Sequence, residues 1–281
     1  MSNGEGPARP PLREAIETFG LNAKRRFGQH FLLDSNLTQK IANAAGNLRD
    51  CSVIEIGPGP GGLTRALLDA QAQRVVAIEL DPRCVAALES LAQESGGRLK
   101  ILEDDALTVA LTDIAPPPRR IVANLPYNVA TPLLLKWLHE AEQVEEMVLM
   151  FQKEVGERLC AKPGSKTYGR LSIIAQWRME ITSLFDIGPK AFVPPPKVSS
   201  SVLHFRTRPQ PLAEADITLL SRVTQSAFGQ RRKMLRASLK TLGVPVEPLF
   251  EETGILPTAR AEDLSIEEFC ALARALSKAA A

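Results

Sequence analysis

The 281 residues carry 34 Lys and Arg against 32 Asp and Glu, a formal charge of +2, with 44% hydrophobic and 23% charged residues. This is the balance of a soluble globular chain with room for one large domain, or a large one and a small one. It excludes bulk basicity as a way of finding a polyanion, so any nucleic-acid contact must come from clustered charge.

Residues 1–22 begin MSNGEGPARPP, which lacks the apolar core of a signal peptide, and read as a flexible tail. Strand-like and helix-like segments alternate from about residue 34. Val53-Ile54-Glu55-Ile56 is a short apolar run ending in Gly57-Pro58-Gly59-Pro60-Gly61-Gly62, and residues 63–70 are helical in pattern. Residues 74–80 (RVVAIEL) form a second strand, followed by a helix to residue 91. Residues 99–102 form a third, closed by Glu103-Asp104-Asp105-Ala106. Residues 120–123 (RIVA) form a fourth, running straight into Asn124-Leu125-Pro126-Tyr127, and residues 144–151 and 201–205 supply later strands. The alternation predicts an α/β domain over residues 23–206, a parallel sheet with helices on both faces. A Pro-containing linker spans 206–211. Beyond it, helical periodicity at 217–228, 232–242, 248–253 and 265–278 predicts a small helical domain over 212–281, with Ser265 and Glu268 forming a capping box.

Cys51, Cys84, Cys160 and Cys270, like His30, His139 and His204, lie scattered without ligand-pair spacing. Neither a metal site nor a disulfide framework is expected; free thiols in a reducing compartment are. No apolar run reaches the length of a membrane span, and a cytoplasmic location is expected.

The loop after the first strand matches G-x-G-x-x-G through Gly57, Gly59 and Gly62, and Glu79 ends the next strand. An acidic residue there can bind ribose hydroxyls, which nicotinamide dinucleotides and S-adenosylmethionine both carry. Asp105, just after the third strand, is placed to accept from an adenine amino group. Asn124-Leu125-Pro126-Tyr127 follows the fourth strand, on the same carboxyl-end rim where open α/β sheets bind ligands. An exocyclic amine such as adenine N6 is a poor nucleophile, because its lone pair is delocalised into the ring. The Asn124 side-chain carbonyl and the Leu125 main-chain carbonyl can accept both N6 hydrogens and free that lone pair. Pro126 stiffens the turn, and Tyr127 offers a stacking face worth about 1–3 kcal/mol per base. The set reads as an S-adenosylmethionine site facing a nucleobase amine.

The chain resembles the ribosomal RNA adenine-N6 dimethyltransferase family, most of all its bacterial small-subunit members. The matching segments are RRFGQHFL (25–32), EIGPGPGGLT (55–64), AIEL (77–80), EDDAL (103–107), NLPYNVATPLL (124–134), FQKEV (151–155), SKTYGRLS (165–172), AFVPPPKVSSSV (191–202) and FGQRRKMLRASL (228–239). The resemblance implies a Rossmann-like class I S-adenosylmethionine-dependent methyltransferase sheet with a small C-terminal all-helical domain. It implies that the segment before the first helix folds over the cofactor. His30 and Leu32 match contact positions there, although the family more often has Asn at His30. It assigns Gly57 to the methionyl side and Gly59 to the cofactor, Glu79 to the ribose, Asp105 to the adenine, and Asn124 to both cofactor and target base. Phe192 matches the aromatic that sandwiches the target adenine against Tyr127. Lys153, Glu154 and the run Tyr168-Gly169-Arg170 fall on its substrate side.

Arg231, Arg232, Lys233, Arg236 and Lys240 make the densest basic cluster; in a helix Arg232, Arg236 and Lys240 would share a face. Lys24, Arg25 and Arg26 make a second patch. Both read as phosphate contacts. The expected reaction is dimethylation of two adjacent adenosines near the 3′ end of small-subunit rRNA, within an immature 30S particle, by a monomer. The alternatives are a large-subunit rRNA methyltransferase conferring macrolide resistance and an assembly factor whose methylation is incidental. A nicotinamide-dependent dehydrogenase is more distant, because no catalytic group for hydride chemistry lies beside the Gly-rich loop.

Overall fold

The computed structural model describes residues 12–21 and 29–279. The first part contains α1 (Leu12–Thr18), β1 (Phe31–Leu32), α2 (Ser35–Ala44), β2 (Ser52–Ile56), α3 (Gly62–Asp69), β3 (Arg74–Glu79), α4 (Pro82–Glu94) and β4 (Leu99–Glu103). Then come α5 (Leu111–Ile114), β5 (Arg119–Asn124), α6 (Tyr127–His139), β6 (Glu146–Gln152), α7 (Lys153–Leu159), α8 (Arg170–Arg178), β7 (Met179–Ile187), β8 (Phe192–Val193) and β9 (Ser200–Thr207). The last part is helical: α9 (Ile217–Gly229), α10 (Leu235–Ser238), α11 (Glu247–Thr253) and α12 (Ile266–Ala279).

Seven strands form one sheet in the order β4-β3-β2-β5-β6-β9-β7. β4, β3, β2, β5 and β6 are parallel, and β9 runs antiparallel to both β6 and β7. The expected parallel sheet is therefore corrected at one edge. Residues 188–199 between β7 and β9 hold no crossover helix, and without one neighbouring strands pair antiparallel. β7 itself was not among the expected strands; a register shift between Ser183 and Phe185 breaks the alternation that would mark it. β2 is buried at every position and β3 at all but its first, as strands covered on both faces must be.

One face of the sheet packs Ile54, Ile78 and Ile121 against Trp137 of α6. The other packs Val53, Val75 and Val122 against Ile41, Leu67 and Leu88 of α2, α3 and α4. The first core continues without a break into the C-terminal helices: Leu171 and Trp177 of α8 share it with Leu220 and Val223 of α9 and Phe269 of α12. Tyr168, Phe228 and Phe269 form an aromatic chain across this junction, with ring centroids 6.1 and 5.7 Å apart. The helices are thus packed onto the sheet layer, and the expected linker is partly strand, since β9 reaches Thr207.

The expected tail is corrected as well. Leu12–Thr18 is helical, and Ile16 packs with buried Leu21 against Phe31, Cys84 and Ala87. The expected helix over 232–242 begins only at Leu235 and tightens to a 3₁₀ turn at Leu239–Leu242. The Met234 to Arg260 bridge and a turn closed by Lys233 N–H on Gln230 O occupy the preceding residues. The Ser265–Glu268 capping box is present, with reciprocal bonds of 3.2 and 2.7 Å. Among the described residues no helix is long and apolar enough to cross a membrane.

Because one core spans sheet and C-terminal helices, Phe269→Ala should cost about 3–5 kcal/mol and leave a single cooperative urea transition. Two separated transitions would contradict the shared core.

Candidate active site

The strand order reverses where β2 lies between β3 and β5, and a crevice opens there at the carboxyl ends of the strands. The pairings Ile56↔Ile78, Glu79↔Glu103 and Asn124↔Met150 bring the strand ends to one rim. Gly57, Glu79, Asp105 and Asn124 all line this pocket, together with His30, Leu32, Gly59, Leu125 and Tyr127. Gly57 and Gly59 have φ of +64° and +55°, where side chains are strained. A Cβ on Gly59 would stand 2.9 Å from the Phe31 ring.

Glu79 is organised by main chain. Its Oε2 accepts from Gly59 N–H at 3.0 Å, and its Oε1 accepts from Leu80 and Asp81 N–H at 2.9 Å each. Burial raises its pKa and these three donors oppose the rise. Of about four acceptor positions on a carboxylate, one remains for a ligand hydroxyl. Asp105 Oδ1 accepts from Leu107 N–H at 2.9 Å, an Asx turn that presents the carboxylate on the rim.

The segment before α2 is fastened at several points. β1 pairs antiparallel with β8, Phe31↔Val193 and Leu32↔Phe192. Asn124 Nδ2 donates to His30 O at 3.1 Å, which sets the amide orientation and leaves Oδ1 as the acceptor on its other side. The His30 Nδ1 lies 2.8 Å from Pro194 O, so the carbonyl requires a proton on that nitrogen. Gln29 Nε2 reaches Asp81 Oδ2 at 3.3 Å, and Arg83 holds Asp81 at 2.6 Å while donating to Gly20 O at 2.9 Å. The Arg83 guanidinium keeps the Asp81 carboxyl below its ordinary range.

Tyr127 opens α6 beside Pro126, and its hydroxyl lies 2.6 Å from Ser200 Oγ. Burial raises its pKa, and Ser200 opposes this. Leu125 is buried in the core below. The expected sandwich of Tyr127 with Phe192 is not formed. Phe192 is 2% exposed and packs with Leu32, Ile41, Val122 and Val202. Its pairing with Leu32 in the short ladder turns its ring inward and Val193 outward. The ring beside Tyr127 is His30, with centroids 5.6 Å apart at 31°.

Among the basic residues, Lys24, Arg25 and Arg26 lie outside the described residues. Arg231 is a tether, contrary to expectation: its Nε donates to Glu262 Oε2 at 3.0 Å and its Nη2 to Ser165 O at 3.3 Å. Arg232, Lys233, Arg236 and Lys240 are exposed, but Arg232 sits in a turn and so does not share a helical face with the others. Of the substrate-side expectations, Tyr168 is buried in the core, while Arg170, Lys153 and Glu154 are exposed.

Among the pocket residues that escaped the sequence reading, three shape its chemistry. Leu80 and Leu107 are 51% and 37% exposed and line it as open apolar walls. Glu55, whose signal was an acid inside an apolar strand, is 1% exposed and its Oε2 has no hydrogen-bond partner. Burial pushes its carboxyl up to about 8, with the Glu79 charge adding and Thr64 opposing. Among the described residues no group of three or more His, Cys, Asp or Glu is placed to hold a metal.

The family model for ribosomal RNA adenine dimethylase matches residues 20–278. The chain is 59% identical over 267 residues to ribosomal RNA small subunit methyltransferase A of Paramagnetospirillum magneticum, covering 95% of each chain. It is 58% identical to the protein of that name from Rhodospirillum rubrum, covering 98% of this chain and 95% of that one. A dimethyladenosine transferase from Plasmodium falciparum superposes with a TM-score of 0.78 at 27% identity, over 89% of this chain and 98% of that one. The 23S rRNA methyltransferase ErmE superposes at 0.65, also at 27% identity, over 88% and 99%.

Glu55 gives a stability prediction. Its folded pKa of about 8 lies above the ordinary 4.5, so its contribution is fully present below pH 4.5 and is lost as pH rises towards 8. Glu55→Gln should flatten the pH dependence of Tm across that window and be the more stable form at its alkaline end. An unchanged slope would contradict the buried neutral carboxyl.

Proposed function

The chain belongs to the ribosomal RNA adenine dimethylase family, and from that premise we propose that it N6,N6-dimethylates two adjacent adenosines near the 3′ end of small-subunit rRNA. It is an S-adenosylmethionine-dependent methyltransferase. The observation that carries the reading is the Asn124 amide: with Nδ2 committed to His30 O, Oδ1 is left as an acceptor at the mouth of a pocket whose other wall is Tyr127. The small-subunit choice rests on relatives of that name at 58–59% identity, against 27% for the 23S enzyme.

The pocket suits S-adenosylmethionine. Glu55 Oε2 is buried and without a partner, and a cationic group of the ligand beside it would favour the ionised carboxylate. Glu79 retains one acceptor position for a ribose hydroxyl, Asp105 Oδ2 accepts from the adenine amine, and Leu80 and Leu107 flank the adenine. When bound, the cofactor supplies an electrophilic methyl group. The chain's own part is positioning and polarisation. Asn124 Oδ1 and the Leu125 carbonyl accept the hydrogens of the target amine, which favours a pyramidal nitrogen. Tyr127 stacks on the base, with its hydroxyl steadied by Ser200. The His30 ring stands beside Tyr127, with centroids 5.6 Å apart, and borders the place where the base would enter. After the first transfer Asn124 can still accept the remaining N6 hydrogen. No acid is needed: a neutral thioether would be the leaving group, and the methylated nitrogen gives up one proton to solvent. Arg232, Lys233 and Arg236 contact phosphate, and a monomer working on an immature 30S particle in the cytoplasm fits this arrangement.

Incubation with labelled S-adenosylmethionine and separate unmethylated subunits tests the reading. Labelled dimethyladenosine is expected in small subunits; label confined to large subunits, or absent from both, would sink it. Asn124→Ala should lower kcat by about 10²–10³ while leaving particle binding intact. Neutralising Arg232, Lys233 and Arg236 should weaken RNA binding and reduce the salt slope by roughly one for each phosphate that is no longer neutralised; an unchanged slope would remove them from the interface.

A further inference from the structure

One strand beyond the Asn124 and Tyr127 pocket, a second groove of about 400 Å³ opens on the same rim, within the range of pockets that take small ligands. Gln152, Lys153, Pro189, Lys197, Val198 and Ser199 line it, with Glu154 the one acid among the lining residues. It is continuous with the base site through the backbone. Gln152 pairs with Ser200, Lys153 N–H donates to Ser199 O at 2.9 Å, and Ser200 Oγ bonds Tyr127 Oη at 2.6 Å. Asn124 ends β5, and β6, the strand that carries Gln152, pairs directly with it. Neighbouring strands lie about 4.8 Å apart, so the two recesses are close neighbours.

The chemistry of the groove is that of a nucleotide seat. Lys197 is exposed, and Lys153 lines the same groove, its ammonium 2.6 Å from Asp186 in a solvent-exposed pair. Such a pair is weakly held and can share its ammonium with a phosphate. Val198 is 46% exposed, an apolar face left open on a segment stiffened by Pro194, Pro195 and Pro196. Cationic groups beside an apolar face match a phosphate and a base from one nucleotide.

We propose that this groove holds the nucleotide adjacent to the target adenosine, its base against Val198 and its phosphate on Lys197 and Lys153. The proposal rests on the substrate reading above. A substrate with two reactive adenosines side by side gives such a seat a purpose: while one base is extruded into the Tyr127 pocket, its neighbour is held in register.

A cycle between protein and RNA tests it. Unmethylated small subunits would carry either both adenosines or one adenosine with uridine as its neighbour, and kcat/KM would be measured for wild type and for the double variant Lys197→Ala with Val198→Ser. For wild type, replacing the neighbour should lower kcat/KM about tenfold. The variant should lose about tenfold on the natural particle and little more on the substituted one, with Tm and S-adenosylmethionine affinity unchanged. Losses that simply multiply, a wild type indifferent to the neighbour, or a variant as active as wild type on both particles would overturn the proposal. No label from wild type on either particle overturns the substrate reading, and this proposal with it.

Discussion

The antiparallel pairing of Phe31 and Leu32 with Val193 and Phe192 brings two distant stretches of chain together over the carboxyl ends of the sheet, and the pocket depends on it. It delivers the His30 carbonyl to Asn124 and the His30 ring to Tyr127. It buries Phe192 and places the Phe31 ring against Gly59 so closely that no side chain fits there. A two-residue ladder contributes little stability by itself. It persists because Leu32 and Phe192 join the core formed with α2 and α3.

The polar groups of the pocket are committed in a graded way. Glu79 is nearly saturated by main-chain donors, Asp105 is half engaged by its own turn, and Glu55 Oε2 has no partner. A buried carboxyl without a donor is kept neutral by desolvation, and such groups gather at functional sites. On the proposed reading, the least satisfied acid faces the most strongly charged part of the cofactor and the most satisfied one performs neutral hydroxyl recognition.

The C-terminal helices are bound to the catalytic layer by the Tyr168, Phe228 and Phe269 rings and by Arg231, which donates to Ser165 O while Glu262 holds its other edge. Arg231 reads in the sequence as one more cation of a phosphate-binding run, and only its long-range partner Glu262 sets it apart. The same holds for β7, whose bulge hides its alternation, and for α1, whose short apolar pattern lies inside a stretch that reads as tail.

The chain by itself determined the rim of the site. Gly57, Glu79, Asp105 and Asn124 each follow a strand of strong local pattern, and in an open α/β sheet the ends of successive strands must converge. It determined the capping box at Ser265 and the apolar strands for the same reason, since both are written in adjacent residues. Tertiary structure alone decided what faces Tyr127, which of the basic residues stay free, and that Glu55 and two exposed leucines belong to the pocket. Those outcomes turn on pairings between residues far apart in sequence, Leu32 with Phe192, Asn124 with His30, Arg231 with Glu262. Local periodicity carries no information about them; burial and partner geometry do.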